Sequence, residues 1–307
     1  MSHKSFRERL RTVQLVPITP YGGDGQVNHV MMRALIERLY AAGVRVFIPC
    51  AASSEFDCLM HHEIVAVIET VRNSIGDDAV IMAPLGRQLE AAITLGRDAL
   101  SAGADCTLVM PLAFPYISNA GAKDYYRAIL DGLDCPTLIY KKSDIPSDEL
   151  LLELAEHPNL VGSKHAVNDI DAFNRVVAAD GGRIDWYCGS AERFAPFYML
   201  AGAPGYTSGA GNLVPRLTLA MHAACVAGDW KRAMSLQRQI RPIEDYRARA
   251  GGSYNITFLK YAIRHTGLEF GPPRPPNRQL TEAEMREIDQ LVPTLLRAEQ
   301  EMAYRQV

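Results

Sequence analysis

The sequence has no apolar run approaching the roughly 18 residues that a membrane-spanning helix needs, so a membrane partner is not expected. It also lacks an excess of basic charge. With 32 Lys+Arg against 35 Asp+Glu, the net charge is −3 and no basic run stands out, which argues against a nucleic-acid partner. Cysteine is sparse and scattered. Cys50, Cys58, Cys106, Cys135, Cys188 and Cys225 form no C-x-x-C pair, which reads as reduced, buried thiols in a cytoplasmic compartment. The opening "MSHKSFRERL" is charged and has no apolar core, so it does not read as a secretory leader. No G-x-G-x-x-G follows the first apolar run, as a dinucleotide fold would want, and neither a phosphate-binding P-loop nor a serine-hydrolase elbow occurs. "HHE" at 61–63 lacks the H-E-x-x-H spacing of a helical metal site, and no metal is expected.

What the chain does have is rhythm. Eight short apolar runs occur: "VQLVPITP" (13–20), "VRVFIPCA" (44–51), "AVIMAPLG" (79–86), "CTLVMPL" (106–112), "PTLIYKK" (136–142), "LVGSKHA" (160–166), "IDWYCGS" (184–190) and "PGYTSGAGN" (204–212). Amphipathic stretches separate them, over 28–42, 61–75, 88–102, 120–132, 147–156, 168–179 and 191–201. Continuous apolar runs suit parallel strands buried on both faces, and eight β-then-α units suit a (β/α)8 barrel. An open doubly wound sheet is the rival. After residue 215 the strands stop, and helices are expected over 216–227, 229–247, 254–266 and 281–303. The expected architecture is therefore α/β: a TIM barrel over 1–215 carrying the active site, with a C-terminal helical appendage over 216–307.

Barrel chemistry sits at the C-terminal ends of strands. That rule selects Ser53, Ser54 and Glu55 after the second run, Tyr140 to Lys142 on the fifth, Lys164 on the sixth, and Ser190 and Ser208 after the seventh and on the eighth. Alternation puts Gly162, Lys164 and Ala166 on one face, with Ser163 and His165 on the other. A lysine turned into a barrel loses water, its pKa falls, and it becomes a nucleophile toward carbonyls. The plain alternative is a surface lysine at a loop entry. Tyr140 and Lys142 share a face with each other and can share the interior with Lys164. The phenol can then shuttle a proton, or it can simply be a core tyrosine. "AASSEF" (51–56) is a small-residue turn able to hold a carboxylate through its backbone, or an ordinary capped loop.

Near its whole length, from "LVPITPYGGDGQVN" to "GPPRPPNRQLTEAE", the sequence resembles the dihydrodipicolinate synthase/N-acetylneuraminate lyase family of class I Schiff-base barrels. In that family a G-[ST]-T-G-E turn follows strand two, a tyrosine ends strand five, and the imine lysine ends strand six. The matching residues are Ala52-Ser53-Ser54-Glu55, Tyr140 and Gly162-Ser163-Lys164. The resemblance implies that Lys164 forms the imine, that Tyr140 relays protons and that the Ser53 turn holds the carboxylate of a small-molecule 2-oxo acid. Ala52, Lys142 and Ser208 join Ser53 as candidate substrate-binding residues. The lysine imine supplies the chemistry, so no cofactor is implied; a homo-oligomer, tetramer or dimer, is.

Within the family, "ASSEF", "APFYMLAGAPGYTSGAGNLVP" and "YNITFLKYAIRHTGLEFGPPRPP" look most like the branch that dehydrates 5-dehydro-4-deoxyglucarate. The implied function is dehydration, with decarboxylation, of a keto-deoxy sugar acid. A pyruvate-dependent aldolase or synthase is the alternative, and a barrel that binds a 2-oxo acid without turnover is a third. The family's synthases use a tyrosine after strand four and an arginine soon after the strand-five tyrosine. Here Leu112, Ala113 and Ile145 stand near those places, and Tyr116 comes late. Other departures are Ala51 and Ser54 for the turn's two glycines, Lys141 for an asparagine, and His165 for an acidic residue.

Overall fold

The computed structural model of the protein describes residues 3–304, so the terminal residues of the two expected segments lie outside the described residues. Eight parallel strands, β1 (Val13–Leu15), β2 (Val46–Phe47), β3 (Val80–Leu85), β4 (Cys106–Val109), β5 (Thr137–Lys141), β6 (Leu160–His165), β7 (Asp185–Cys188) and β8 (Tyr206–Ser208), pair in chain order and close into a barrel. Every strand residue is buried, which is why the sequence shows unbroken apolar runs where a one-faced sheet would alternate. The strands are shorter than the runs. β1 ends at Leu15 because Pro17 and Pro20 have no N–H to give a ladder.

The helices between them are α2 (His29–Ala41), α3 (His61–Arg72), α4 (Leu89–Ser101), α5 (Asn119–Gly132), α6 (Asp148–Leu154), α7 (Ile170–Asp180) and α8 (Ala191–Leu200). Several start where a short polar side chain caps free N–H groups. Asn28 accepts from Met31 N–H, Ser118 from Gly121, Ser147 from Leu150 and Asp169 from Ala172.

Two features depart from the sequence reading. A short helix, α1 (His3–Leu10), precedes β1, where no element was expected. Phe6 and Leu10 are its only described apolar anchors, too few to announce a helix by periodicity. It lies at the strands' N-terminal ends, where Arg7 and Arg11 pair with Asp185 at 2.7 and 3.1 Å and Arg9 donates to the Ala79 carbonyl. Second, the helix after β8, α9 (Pro215–Val226), follows its strand as the other barrel helices follow theirs. The boundary expected at 215/216 falls after the first residue of this eighth barrel helix.

Beyond it come α10 (Trp230–Arg247), a short turn α11 (Arg249–Gly252), α12 (Asn255–Ala262) and α13 (Glu282–Tyr304). Left-handed residues Ala250 and Gly251 break the chain between α10 and α12. That break brings Arg247 at the end of α10 beside Asn255 at the start of α12, with Arg247 Nη2 to Asn255 Oδ1 at 2.8 Å. Among the described residues no helix is long and apolar enough to cross a membrane.

Candidate active site

Lys164 lies near the end of β6, in register with Tyr140 on β5 and Tyr187 on β7. In-register residues point to the same face, so all three turn into the barrel. Two glycines make room. A Cβ on Gly162 would sit 2.9 Å from the Asp185 carbonyl oxygen and 3.1 Å from the Tyr187 ring, while one on Gly189 would sit 3.0 Å from Lys164 Cγ. The amine is almost fully enclosed, and its Nζ lies 4.0 Å from the centre of the Tyr140 ring.

Burial disfavours the charged amine and drives the Lys164 pKa from its ordinary 10.5 to about 7; the nearby charges of Lys142 and Arg247 push the same way. The tyrosine face attracts a cation by roughly 0.5–2 kcal/mol, so it offsets only part of that loss. Burial also pushes the Tyr140 hydroxyl up to about 12, which keeps it a protonated phenol at neutral pH. A neutral amine beside a phenol can add to a carbonyl and have the resulting oxygen protonated.

Across the mouth lies the turn after β2. Its left-handed residues are Cys50 (φ 60°) and Glu55 (φ 68°). Ala51 and Ser54, where the resembled turn carries glycine, are not among the left-handed residues, so a side chain at either position meets no backbone strain. Ser54 is buried and donates to the Pro17 carbonyl, and Ala52 is exposed. Ser53 is half-buried, with its Oγ 3.0 Å from Asn255 Oδ1 and 3.4 Å from Arg247 Nη2.

Behind the turn, Glu55 is fully buried and pairs with Lys260 at 2.5 Å. It also accepts from the Arg274 N–H at 2.8 Å and from Asn277 Nδ2 at 3.3 Å. The C-terminal segment is thus tied into the mouth of the barrel. The sequence reading missed Arg247, Asn255, Lys260 and Arg274 altogether. Lys260 and Arg274 are signalled only as cations within an apolar and a proline-rich stretch, while Arg247, in a charged stretch, and Asn255 carry no such signal.

Two expected residues are placed differently. Lys142 was expected on the interior face; it lies one residue past β5 and is exposed, yet its charge still reaches the Lys164 amine. Ser208 was expected to bind substrate. It is in register with Leu15, while Thr207 is in register with Gln14, so strand parity turns Thr207 inward and Ser208 toward the helices. There Ser208 donates to the Glu192 carboxylate and accepts from the Gly211 N–H at 2.9 Å.

The departures at 141 and 165 explain each other. Lys141 and His165 are in register, and both face Asp148, at 3.5 and 3.3 Å. Lys141 Nζ also donates to the Pro146 carbonyl at 2.6 Å, all on the side of β5 and β6 that packs against helices. The "HHE" residues diverge as well. His61 pairs with Asp98 and Glu63 with Arg274, and among the described residues no cluster suited to a metal ion occurs. A surface hollow lined by His61, His62, Glu69 and Asp98 lies outside the barrel along α3 and α4 and holds none of the strand-end residues.

A family model described as "Dihydrodipicolinate synthetase family" matches residues 9–295. The chain is 29% identical to a 4-hydroxy-tetrahydrodipicolinate synthase of Corynebacterium jeikeium, over 91% of this chain and 93% of that one. It is 28% identical to a "Probable 5-dehydro-4-deoxyglucarate dehydratase 1" of Streptomyces coelicolor, over 90% of each. Among solved structures, the dihydrodipicolinate synthase from Oceanobacillus iheyensis superposes with a TM-score of 0.91 at 32% identity, covering 95% of this chain and 99% of that one.

Proposed function

The chain belongs to the dihydrodipicolinate synthetase family, and from that premise we propose that it is a Schiff-base lyase that dehydrates and decarboxylates a keto-deoxy sugar diacid through an imine on Lys164. The observation that carries the reading is the buried Lys164 amine over the Tyr140 ring. The neutral amine adds to the 2-oxo carbon, and loss of water gives the imine. The imine withdraws electrons, so a C3 proton leaves and the C4 hydroxyl departs as water, with Tyr140 placed to carry protons. The conjugated imine then accepts the electron pair released as the far carboxylate leaves as carbon dioxide. Hydrolysis returns the free lysine and a dioxo acid. These steps need an electron sink, which the imine provides, so the proposal calls on no metal or nucleotide.

The choice of a dehydratase over a synthase rests on two details of the mouth. Ile145, apolar and half-buried, stands near the place where the family's synthases carry an arginine, and an apolar side chain makes no bidentate carboxylate contact. Leu112 and Ala113 stand where the synthases carry a tyrosine after strand four, and Tyr116, 97% exposed beyond β4, comes later in the chain. Likeness to proteins named as synthases keeps pyruvate chemistry as the second reading. A panel of keto-deoxy acids, scored for pyruvate, carbon dioxide and dioxo acid, separates the two. Dioxo acid with carbon dioxide is expected; faster turnover of pyruvate with aspartate semialdehyde would overturn the choice. Borohydride with a keto acid tests the imine itself, and binding without a Lys164 adduct would leave a non-catalytic barrel. The reading includes a homo-oligomer, tested by sedimentation, and a cytoplasmic setting, supported by six free cysteines.

A further inference from the structure

We propose that Arg247, brought to the barrel mouth by α10, is a specificity-determining residue that binds, with Ser53, the carboxylate next to the substrate's oxo carbon. The inference rests on the imine reading of Lys164, because it places that carboxylate opposite the amine.

Arg247 is an unusual residue to find there. It is 4% exposed, comes from the C-terminal helices, and crosses the backbone of Gly209 just past β8 to reach Ser53 in the turn after β2. Gly209 permits the crossing, since a Cβ at that position would overlap the guanidinium. Both terminal nitrogens are held, Nη1 by the Glu244 carboxylate and Nη2 by Asn255 Oδ1 at 2.8 Å. Its other contacts, to Ser53 Oγ and to the Asn255 carbonyl, are both 3.4 Å long and therefore weak. Guanidinium carries five N–H donors in a planar fork matched to a carboxylate, and four contacts leave one donor over. An entering carboxylate can displace the two weak contacts on the Nε–Nη2 edge, with the half-buried Ser53 hydroxyl turning from Asn255 Oδ1 to donate to it.

Charge fits as well. The Arg247 charge reaches Lys164, which places the fork within electrostatic range of the reacting amine. Burial and the Glu244 charge push the Glu192 carboxyl up to about 7, which lessens its opposition to an incoming anion near neutral pH. A ligand without a carboxylate would leave the two 3.4 Å contacts as they are, whereas a carboxylate would replace them with charge-assisted ones.

The test measures pyruvate affinity by calorimetry and by borohydride trapping, alongside trapping of acetone, a carbonyl without a carboxylate. Two variants are used: R247K, which keeps the charge but loses the fork, and R247M/E244Q, which removes the buried pair together. Pyruvate affinity should fall roughly 10- to 100-fold in both, the scale of one lost charge-assisted contact, with acetone trapping unchanged. Equal losses for pyruvate and acetone would make Arg247 a scaffold residue and overturn the proposal, as would unchanged pyruvate affinity. A wild-type protein that traps neither carbonyl at Lys164, yet binds pyruvate with this Arg247 dependence, would refute the imine reading while upholding the carboxylate site.

Discussion

Lys164 Nζ stands 4.0 Å from the centre of the Tyr140 ring, on residues paired in register across β5 and β6. Register fixes the two side chains on one face, and burial then decides their protonation. The amine loses its proton near neutrality, while the phenol holds its own.

The lysine sets the pH profile. Its pKa of about 7 in the fold lies below the ordinary 10.5, so between those values the folded chain binds fewer protons than the unfolded one. Activity should rise through about pH 7, and the contribution of Lys164 to stability should rise with pH from about 7 to 10.5. Lys164→Met should abolish turnover and raise the melting temperature at pH 7. A variant that keeps activity would end the mechanism.

Tyr140→Phe should retain the ring face and lose only the hydroxyl. A fall in kcat of about 10²–10⁴, the range for a positioned acid–base group, is expected from steady-state kinetics. Ser53→Ala should instead raise KM at nearly constant kcat. An unchanged kcat for Tyr140→Phe would reduce the tyrosine to packing.

Lys142 acts through charge, because it is exposed and lowers the Lys164 pKa from a distance. Lys142→Met should move the rising limb of the pH–rate profile to higher pH, by less than burial does. High salt should move it the same way in the wild type, since exposed charges are screened. No shift in either experiment would remove Lys142 from the site.

Glu192 supplies a pH effect of opposite sign. Its carboxyl, accepting from Ser208 and from Thr218 at 2.9 Å, has a pKa of about 7 against an ordinary 4.5. The folded state therefore binds more protons than the unfolded state between those values, and stability falls as pH rises through that window. Glu192→Gln keeps an acceptor for both hydroxyls and removes the ionisation. It should stabilise the protein at pH 8 by roughly 1–3 kcal/mol, with little change at pH 4.5. Urea denaturation at the two pH values reads the difference.

The Glu55–Lys260 pair should show strong non-additivity. Lys260→Met strands a buried carboxylate and should cost about 3–5 kcal/mol, whereas the double change Glu55→Gln with Lys260→Met should cost much less. Chemical denaturation of the three variants gives the coupling, and additive losses would show that the pair is not mutually dependent.

Much of this molecule can be read from its chain. Eight apolar runs give eight strands, because a strand buried on both faces must be apolar throughout. Lys164 is legible in part: alternation leaves it either the barrel interior or a loop entry, and the family resemblance chooses the interior. Alternation put Tyr140 on the face of Lys164, but it did not settle Lys142, and the strand-end rule did not settle which way Ser208 points. Lys142 lies past the end of its strand, and the eighth run was too long for its phase to be fixed. Ladder partners settle phase, and they are distant in sequence. The same holds for the mouth. Ser53, Arg247 and Asn255 meet only because the barrel closes and α10 breaks at Ala250 and Gly251 to fold back over β8. Local sequence determined the eight strands, the helices between them and the place of Lys164 at the end of β6, since propensity and burial act on neighbouring residues. Which charges surround that lysine was decided by tertiary packing, because charges act through space and contacts about 200 residues apart leave no local periodicity.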